Sequence, residues 1–79
     1  MRVLFFAQLK DATGCESAEL EARSPVDADQ LWAKLIDKFP KLAVCRPAVR
    51  LAKNCEYAAA GAMFADSDEV ALIPPVSGG

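Results

Sequence analysis

The hydrophobic pattern of the chain changes its period twice, which divides the sequence into strands and one helix. Segment 2–9 is apolar at almost every position, as is typical of a central strand covered on both faces. Segment 17–23 alternates apolar and polar residues, which predicts a half-exposed strand that forms a hairpin with the first. Between them, 11–14 has the composition of a turn in which Gly14 can adopt a positive φ.

A helical period follows the second strand. Asp27 and Gln30 have the spacing of a capping box, which predicts a helix start at this point. Pro40 disfavours helical geometry at Phe39, so the helix is predicted to end there. Trp32 lies on the apolar stripe and is assigned to the core. The stripe consists of Ala28, Leu31, Trp32, Leu35, Ile36 and Phe39.

The second half of the chain predicts three further strands. Segment 49–53 alternates, and 56–60 has the composition of a short edge strand. Segment 69–73 is the last strand, and Pro74 ends it because proline has no N–H to donate. Segment 41–47 is ambiguous, with a short helical turn as one possibility. This order of elements predicts an α+β fold, since the helix can bury its stripe only against the sheet.

Length and charge describe one small domain. The expected domain covers residues 1–79, with a globule over about 1–74 and an extended tail over about 75–79. The net charge is −2 and no basic stripe is present, which argues against binding to nucleic acid. No run of about 18 apolar residues is present, so no membrane span is expected. We therefore expect a cytoplasmic protein, and the high apolar content suggests that part of its surface is meant for a partner.

The residue types exclude most catalytic machinery. The chain has no histidine and no glycine-rich phosphate loop, so no active site of its own is expected. The acidic segment 66–69 lacks the spacing of a calcium loop and is interpreted as a turn, and no metal site is expected. The cysteines are interpreted as small thiols in a reducing compartment, with a sulfur-relay role as the alternative. They are Cys15, Cys45 and Cys55.

The last residues offer a different chemistry. Pro74 and Pro75 restrict the backbone directly after the last strand. Gly78 and Gly79 have no side chains, so their backbone can thread a narrow channel. A carboxylate at Gly79 could be activated with ATP as an acyl-adenylate and then converted to a thiocarboxylate. We therefore predict that Gly79 is the reactive residue, although a frayed terminus is the plain alternative.

Two segments carry a resemblance to a known family. Segment 3–10 (VLFFAQLK), with Gly14 soon after, and segment 66–79 (DSDEVALIPPVSGG) resemble the two ends of the molybdopterin synthase small subunit, the MoaD family. The resemblance implies a β-grasp, ubiquitin-like fold: a mixed sheet, with its first and last strands side by side in the middle, packed on one main helix and followed by a flexible Gly-Gly tail. Ser67 and Ile73 depart from the family, which often has glycine and an aromatic residue there.

The resemblance implies a sulfur carrier without a bound cofactor. In the family, an ATP-dependent activating enzyme adenylates the terminal glycine, here Gly79, and a sulfur donor enzyme leads to the thiocarboxylate. The loaded tail enters the large synthase subunit, where sulfur passes to a cyclic pyranopterin precursor and builds the dithiolene of molybdopterin. The implied assembly is a heterotetramer of two small and two large subunits.

Candidate partner contacts lie at two strand ends and along the tail. Phe5 and Phe6 must face opposite ways on an alternating strand, and we assign Phe6 to a partner-facing patch, with core packing as the alternative. Arg50 and Lys53 are interpreted as solvated charges, with contacts to acidic partner groups as the alternative. The predicted contacts are Phe6, Leu72, Ile73, Pro74, Pro75, Val76 and Ser77, and the predicted reactive residues are Gly78 and Gly79.

Other functions stay open for the same tail. A sulfur carrier could serve thiamine synthesis, tRNA thiolation or cysteine synthesis instead. A ubiquitin-like modifier would be joined through Gly79 to lysines of target proteins. A plain β-grasp binding module would have an accidental glycine end. The approach to the glycines through 74–77 favours the synthase subunit.

Overall fold

The computed structural model describes residues 1–74. The strands of this part are β1 (Arg2–Phe5), β2 (Ser17–Glu19), β3 (Arg50–Lys53), β4 (Glu56–Tyr57) and β5 (Glu69–Ile73). Its helices are α1 (Gln8–Thr13), α2 (Ala28–Lys38) and α3 (Leu42–Cys45), the last of which continues into a 3₁₀ turn (Arg46–Ala48). The strands form one mixed sheet in the order β2-β1-β5-β3-β4.

The first and last strands lie side by side in the middle of the sheet. β1 and β5 run parallel, with Val3 beside Val70 and Phe5 beside Leu72. β2 pairs antiparallel with β1, and β3 pairs antiparallel with β5 and with the edge strand β4. This central parallel pair with an antiparallel strand on each side confirms the predicted β-grasp arrangement.

The helices cover one face of the sheet and form the core with it. The Phe5 ring meets Phe39 edge-on, with the ring centroids 5.4 Å apart. Trp32 is buried, which confirms its assignment to the core. The largest fully buried side chains come from both layers and are Val3, Phe5, Leu9, Leu31, Leu35, Leu42, Phe64, Val70 and Leu72.

The start and the end of α2 agree with the sequence pattern. The Gln30 N–H donates to the Asp27 carboxylate at 2.8 Å, and the Asp27 N–H donates to the Gln30 side chain at 2.9 Å. This capping box satisfies two amides that have no partner within the helix. The helix ends at Lys38, and Phe39 leaves the helical region with φ −131° before Pro40.

The predicted first strand is too long. β1 ends at Phe5, and most of the residues that were expected to continue it and to form a turn are helix α1. Ala7 turns the chain with φ 50° and ψ −128°. Gly14 ends α1 in the left-handed region at φ 76°, as its predicted freedom allows, and its N–H donates to the Lys10 oxygen at 2.7 Å. Leu9 made the run look like a strand because it is buried, but it reaches the core from a helix.

The far face of the sheet also differs from the prediction. A strand covered on both faces was expected from the apolar run 2–9. Along β1, however, Val3 and Phe5 are buried, whereas Arg2 is exposed and Leu4 is half-buried. The helices therefore cover one face only, and the other face, which we call the open face, leaves apolar side chains accessible.

The remaining differences concern element lengths. β2 is shorter than its alternating pattern, although Leu20 and Ala22 beyond its end are buried as the alternation requires. β4 has two residues, fewer than the predicted edge strand. The ambiguous segment 41–47 forms α3 and the start of the 3₁₀ turn. β5 has the predicted bounds.

Positive φ values identify where the backbone is constrained. Among non-glycine residues of the described part, Ala7, Asn54 and Cys55 have positive φ. Asn54 and Cys55 form the two-residue turn between β3 and β4, where positive φ at both positions fits a type I′ hairpin. Ser67 is not in this group, so serine carries no left-handed strain in the acidic turn.

The acidic turn fastens the start of β5 to neighbouring segments. Asp66 accepts hydrogen bonds from the Ala22 N–H at 2.9 Å and from the Met1 ammonium group at 3.3 Å. Asp68 accepts from the Ala65 N–H at 2.7 Å. The backbone bonds from Ala22 and Ala65 are the main causes that lower the pKa of Asp66 and Asp68, respectively, below the usual value of 3.8. The turn therefore has a structural role that uses its charges.

We expect the fold to lose stability in acid through Asp66 and Asp68. A carboxyl group whose pKa is lower in the folded state contributes stability above its unfolded pKa, and that stability is lost as the pH falls through the folded value. Thermal unfolding followed by circular dichroism should therefore show Tm falling below about pH 4.

Asp66→Asn tests the role of the charge. This change keeps an oxygen acceptor and removes the charge, so Tm at pH 7 should fall and its acid dependence should flatten. Asp37→Asn on the exposed side of α2 is the matched control and should leave both properties as in the wild type. A Tm at pH 7 for Asp66→Asn equal to that of the wild type would contradict this account.

Candidate functional site

The predicted contacts of the described part gather at one end of the sheet. β5 ends at Ile73, and Pro74 follows it. Since β1 and β5 are parallel and in register, Phe6 lies at the same end as Ile73 and Pro74. The other predicted tail residues lie outside the described residues, and they are Pro75, Val76, Ser77, Gly78 and Gly79.

The strand register places three rows of side chains on the open face, and the row farthest from the tail contains Glu19, Arg2 and Glu69. The middle row runs across all five strands and contains Ser17, Leu4, Ala71, Ala52 and Tyr57. The row nearer the tail has Arg50 opposite Ile73, with Phe6 at the same end of the sheet. Phe6 is 42% exposed and Tyr57 is 59% exposed. The strands between them carry the small side chains Ala71 and Ala52 in the middle row. The open face therefore has one aromatic ring, Phe6, on one side of the end of β5 and a second, Tyr57, on the other side.

A groove of about 260 Å³ lies beside Phe6 on the open face. Leu4 contributes apolar surface to its lining, and Lys10 and Glu16 supply charged groups. These two side chains form an ion pair with Nζ and Oε1 3.6 Å apart. The groove can therefore receive an apolar side chain next to charges that are already neutralised.

Phe6 is directed outward by a strained turn. Ala7 adopts φ 50° and ψ −128°, a region that costs a residue with a Cβ atom about 1–3 kcal/mol. The Leu9 N–H donates to the Phe6 oxygen at 2.9 Å, and the Lys10 N–H donates to the Ala7 oxygen at 3.0 Å, which begins α1. Phe5 is 1% exposed, so this turn separates a core phenylalanine from an exposed one.

Leu72 has a different place from the one expected. Alternation along β5 buries Val70 and Leu72 and directs Ala71 and Ile73 to the open face. Leu72 is fully buried, so a partner surface cannot touch its side chain in this conformation. We therefore correct this one residue of the predicted contact set, and Ile73 remains because it is half-buried on the open face.

Tyr57 is the aromatic residue of the open face that the sequence pattern did not reveal. It lies on the edge strand β4, and its position opposite Ala52 follows from a register that the sequence does not specify. The Arg50 guanidinium lies 4.1 Å from the centre of its ring. Lys53, the other candidate cation, donates to the Met63 oxygen at 2.8 Å and so contacts its own chain.

Other kinds of site receive little support from the described residues. Cys15 and Cys45 are half-buried, Cys55 is exposed, and all three are free thiols. Between residues 1 and 74, no group of three or more acidic or cysteine side chains could hold a metal ion. No helix in that range is long and apolar enough to cross a membrane.

The fold and the open face define a β-grasp protein of the ubiquitin-like class. The chain belongs to the ThiS family, whose model matches residues 3–79. It is 38% identical over 79 residues to the molybdopterin synthase sulfur carrier subunit of Arabidopsis thaliana, and the match covers all of this chain and 82% of that one. It is 34% identical over 82 residues to the Homo sapiens protein of the same name, with all of this chain and 93% of that one covered.

Solved structures agree with this family. The chain is similar to small archaeal modifier protein 1 from Haloferax volcanii, with a TM-score of 0.84, 27% identity, and coverage of 99% of this chain and 97% of that chain. It is also similar to a chain in a complex of subunits 1 and 2 of the molybdopterin-converting factor from Helicobacter pylori. That match has a TM-score of 0.67, 24% identity and coverage of 99% and 96%, and it shows the fold alone.

We expect truncation of the two adjacent phenylalanines to lower stability by very different amounts. Phe5→Ala empties a core site and should lower the free energy of unfolding by about 3–5 kcal/mol. Phe6→Ala removes an exposed ring and should cost less than about 1 kcal/mol. Denaturation in urea, followed by circular dichroism, measures both. Equal losses in the two variants would show that Phe6 also supports the core.

Proposed function

We propose that the chain is the sulfur-carrier subunit of a molybdopterin synthase. The observation that carries this proposal is the position of the last described residues: β5 ends beside Phe6, at the tail-proximal end of an uncovered apolar sheet face. A partner that docks on this face would lie where the following residues begin. Curated relatives of the same name match the chain over its whole length, which supports the same assignment.

The chemistry would take place at the carboxyl group of Gly79. A carboxylate oxygen attacks the α-phosphorus of ATP in the activating enzyme, and pyrophosphate leaves. Hydrosulfide supplied by a donor enzyme then attacks the carbonyl carbon, and AMP leaves. The sulfur of the resulting thiocarboxylate, a soft nucleophile, bonds to a carbon of a cyclic pyranopterin precursor, and water then cleaves the acyl–sulfur bond and restores the carboxylate of Gly79. Two such transfers supply the two sulfurs of the dithiolene.

The fold would contribute recognition and placement to this chemistry. In our proposal the domain covers 1–79, and the globule 1–74 binds the large subunit with the open face. Pro75, Val76 and Ser77 lead Gly78 and Gly79 into the active site of that subunit, where the lack of side chains permits a narrow entrance. ATP belongs to the activating enzyme, so the carrier itself binds no cofactor. The proposed complex contains two small and two large subunits in the cytoplasm.

Protein modification is a second candidate function. It is favoured by the similarity to small archaeal modifier protein 1 at 27% identity. The same acyl-adenylate would then be attacked by a lysine amine of a target protein, with AMP as the leaving group. Carriers for other sulfur pathways share the first steps and differ in the acceptor of the sulfur.

We expect the sulfur to be found at the C-terminus. After incubation with ATP, the activating enzyme and a sulfur source, the intact mass should rise by about 16 Da, the difference between sulfur and oxygen. Deletion of Gly79, or addition of one bulky residue after it, should abolish this gain and sulfur transfer while Tm stays unchanged. Lys34→Gln on the exposed side of α2 leaves the whole tail unchanged and serves as the control.

Two results would decide against the synthase assignment. Full synthase activity of the Gly79 deletion would rule out the terminal carboxyl group as the sulfur carrier. Covalent adducts of the chain with lysines of other proteins, in place of a mass gain of about 16 Da, would favour the modifier.

We also expect Phe6 to contribute to binding of the large subunit. Exposed aromatic side chains at the centre of interfaces often contribute most of the binding energy. Phe6→Ala should therefore weaken binding about tenfold or more in isothermal titration calorimetry. Val44→Ala truncates an exposed apolar residue on α3, away from the sheet, and should bind as the wild type does. Similar affinities for the two variants would remove Phe6 from the interface.

A further inference from the structure

Arg50 is a cation at the tail-proximal end of the open face. It is exposed at the start of β3, opposite Ile73, the last strand residue before the tail. Its guanidinium lies 4.1 Å from the centre of the exposed Tyr57 ring. Stacking on an aromatic ring leaves the edge of the guanidinium, with its N–H donors, free to bind another group.

The other cations near the sheet have acidic or carbonyl neighbours. Arg2 lies between Glu19 and Glu69 on the adjacent strands of the same face. Lys10 forms the ion pair with Glu16 described above. The neighbour of Arg50 on β5 is apolar, and among residues 1–74 no carboxylate lies within 4 Å of its guanidinium.

We propose that Arg50 and Tyr57 form a binding site for a carboxylate of the protein that receives the tail. This proposal deepens the proposed function and rests on it, so the partner is the large synthase subunit. The guanidinium can donate two parallel N–H bonds to an aspartate or glutamate side chain. The Tyr57 ring restrains the guanidinium before binding, which reduces the conformational entropy that is lost when the pair forms.

The charge of Arg50 favours one orientation of the docked partner. The whole chain has a net charge of −2, and a thiocarboxylate or carboxylate at Gly79 adds negative charge at the tail. A partner must therefore present a pocket that accepts an anion and, at a fixed distance from it, a carboxylate for Arg50. Two opposite charges at a fixed separation favour one docking orientation over others.

Exclusion of water from the ion pair determines how much Arg50 contributes to binding affinity. A solvent-exposed ion pair changes affinity by less than about fivefold. Ile73 and the Tyr57 ring provide apolar surface on two sides of Arg50, and a docked partner would remove water from the pair. Truncating one member of such an enclosed pair weakens binding by more than about tenfold.

The test compares two variants that remove one positive charge each. Arg50→Gln removes the proposed contact, and Lys34→Gln removes a charge from the exposed side of α2. Binding of the full chain to the large subunit is measured by calorimetry at about 0.05 M and about 0.3 M NaCl, where screening differs strongly. Arg50→Gln should weaken binding about tenfold at the lower salt concentration and reduce the salt dependence, whereas Lys34→Gln should change affinity less than about twofold. Arg50→Lys, which keeps the charge and loses the two parallel bonds, should fall between them.

Thermal unfolding separates recognition from a structural role. Tm of Arg50→Gln should equal that of the wild type, because exposed charges contribute little to stability. Equal affinities for Arg50→Gln and Lys34→Gln would overturn the proposal, as would a lowered Tm that accounts for the weaker binding. A wild-type chain that does not bind the large subunit would overturn the proposed function as well. If the wild-type chain binds and gains sulfur but Arg50→Gln behaves as Lys34→Gln does, only the proposal for Arg50 fails.

Discussion

The parallel pairing of β1 with β5 is the interaction on which the rest of the structure depends. It joins residues 2–5 to residues 69–72 across nearly the whole chain. Each strand contributes two side chains to the core from this pair, and the other strands of the sheet lie outside it on both sides. Because the two strands run in the same direction, the end of β1 and the end of β5 meet at one side of the domain. That meeting point is where Phe6, Ile73 and Arg50 are found.

The two ends of β5 have different tasks. At its start, Asp66 binds the backbone amide of the distant Ala22, and Asp68 binds that of Ala65 within the same turn, which holds the strand in place. At its end, Ile73 lies on the open face, next to the surface proposed to bind partners. Stability that depends on acidic groups is therefore separated from the surface proposed to bind partners. The high apolar content of so short a chain is explained in the same way, since part of it lies on the uncovered side of the sheet.

Strong local signals in the sequence were sufficient to predict α2, β5 and the opposite directions of the Phe5 and Phe6 side chains. The helix α1 was missed because Leu9 fits both a strand and a helix that reaches the same core, and because the backbone conformation of Ala7 is one that alanine seldom adopts. Tyr57 was missed since cross-strand register depends on the whole sheet. The burial of Leu72 could have been predicted from the sequence, because strict alternation along β5 places Leu72 on the same face as Val70. The roles of 75–79 stay predictions.

The central position of β5 also has a mechanical consequence. In the proposed function, an acceptor that draws the tail into its active site would pull on β5 along the strand axis. β5 is bonded to β1 on one side and to β3 on the other, so this load shears two ladders at once instead of opening one bond after another. An edge strand in the same role would resist the same load through a single ladder. The central position of β5 thus lets the sheet share such a load between two neighbouring strands.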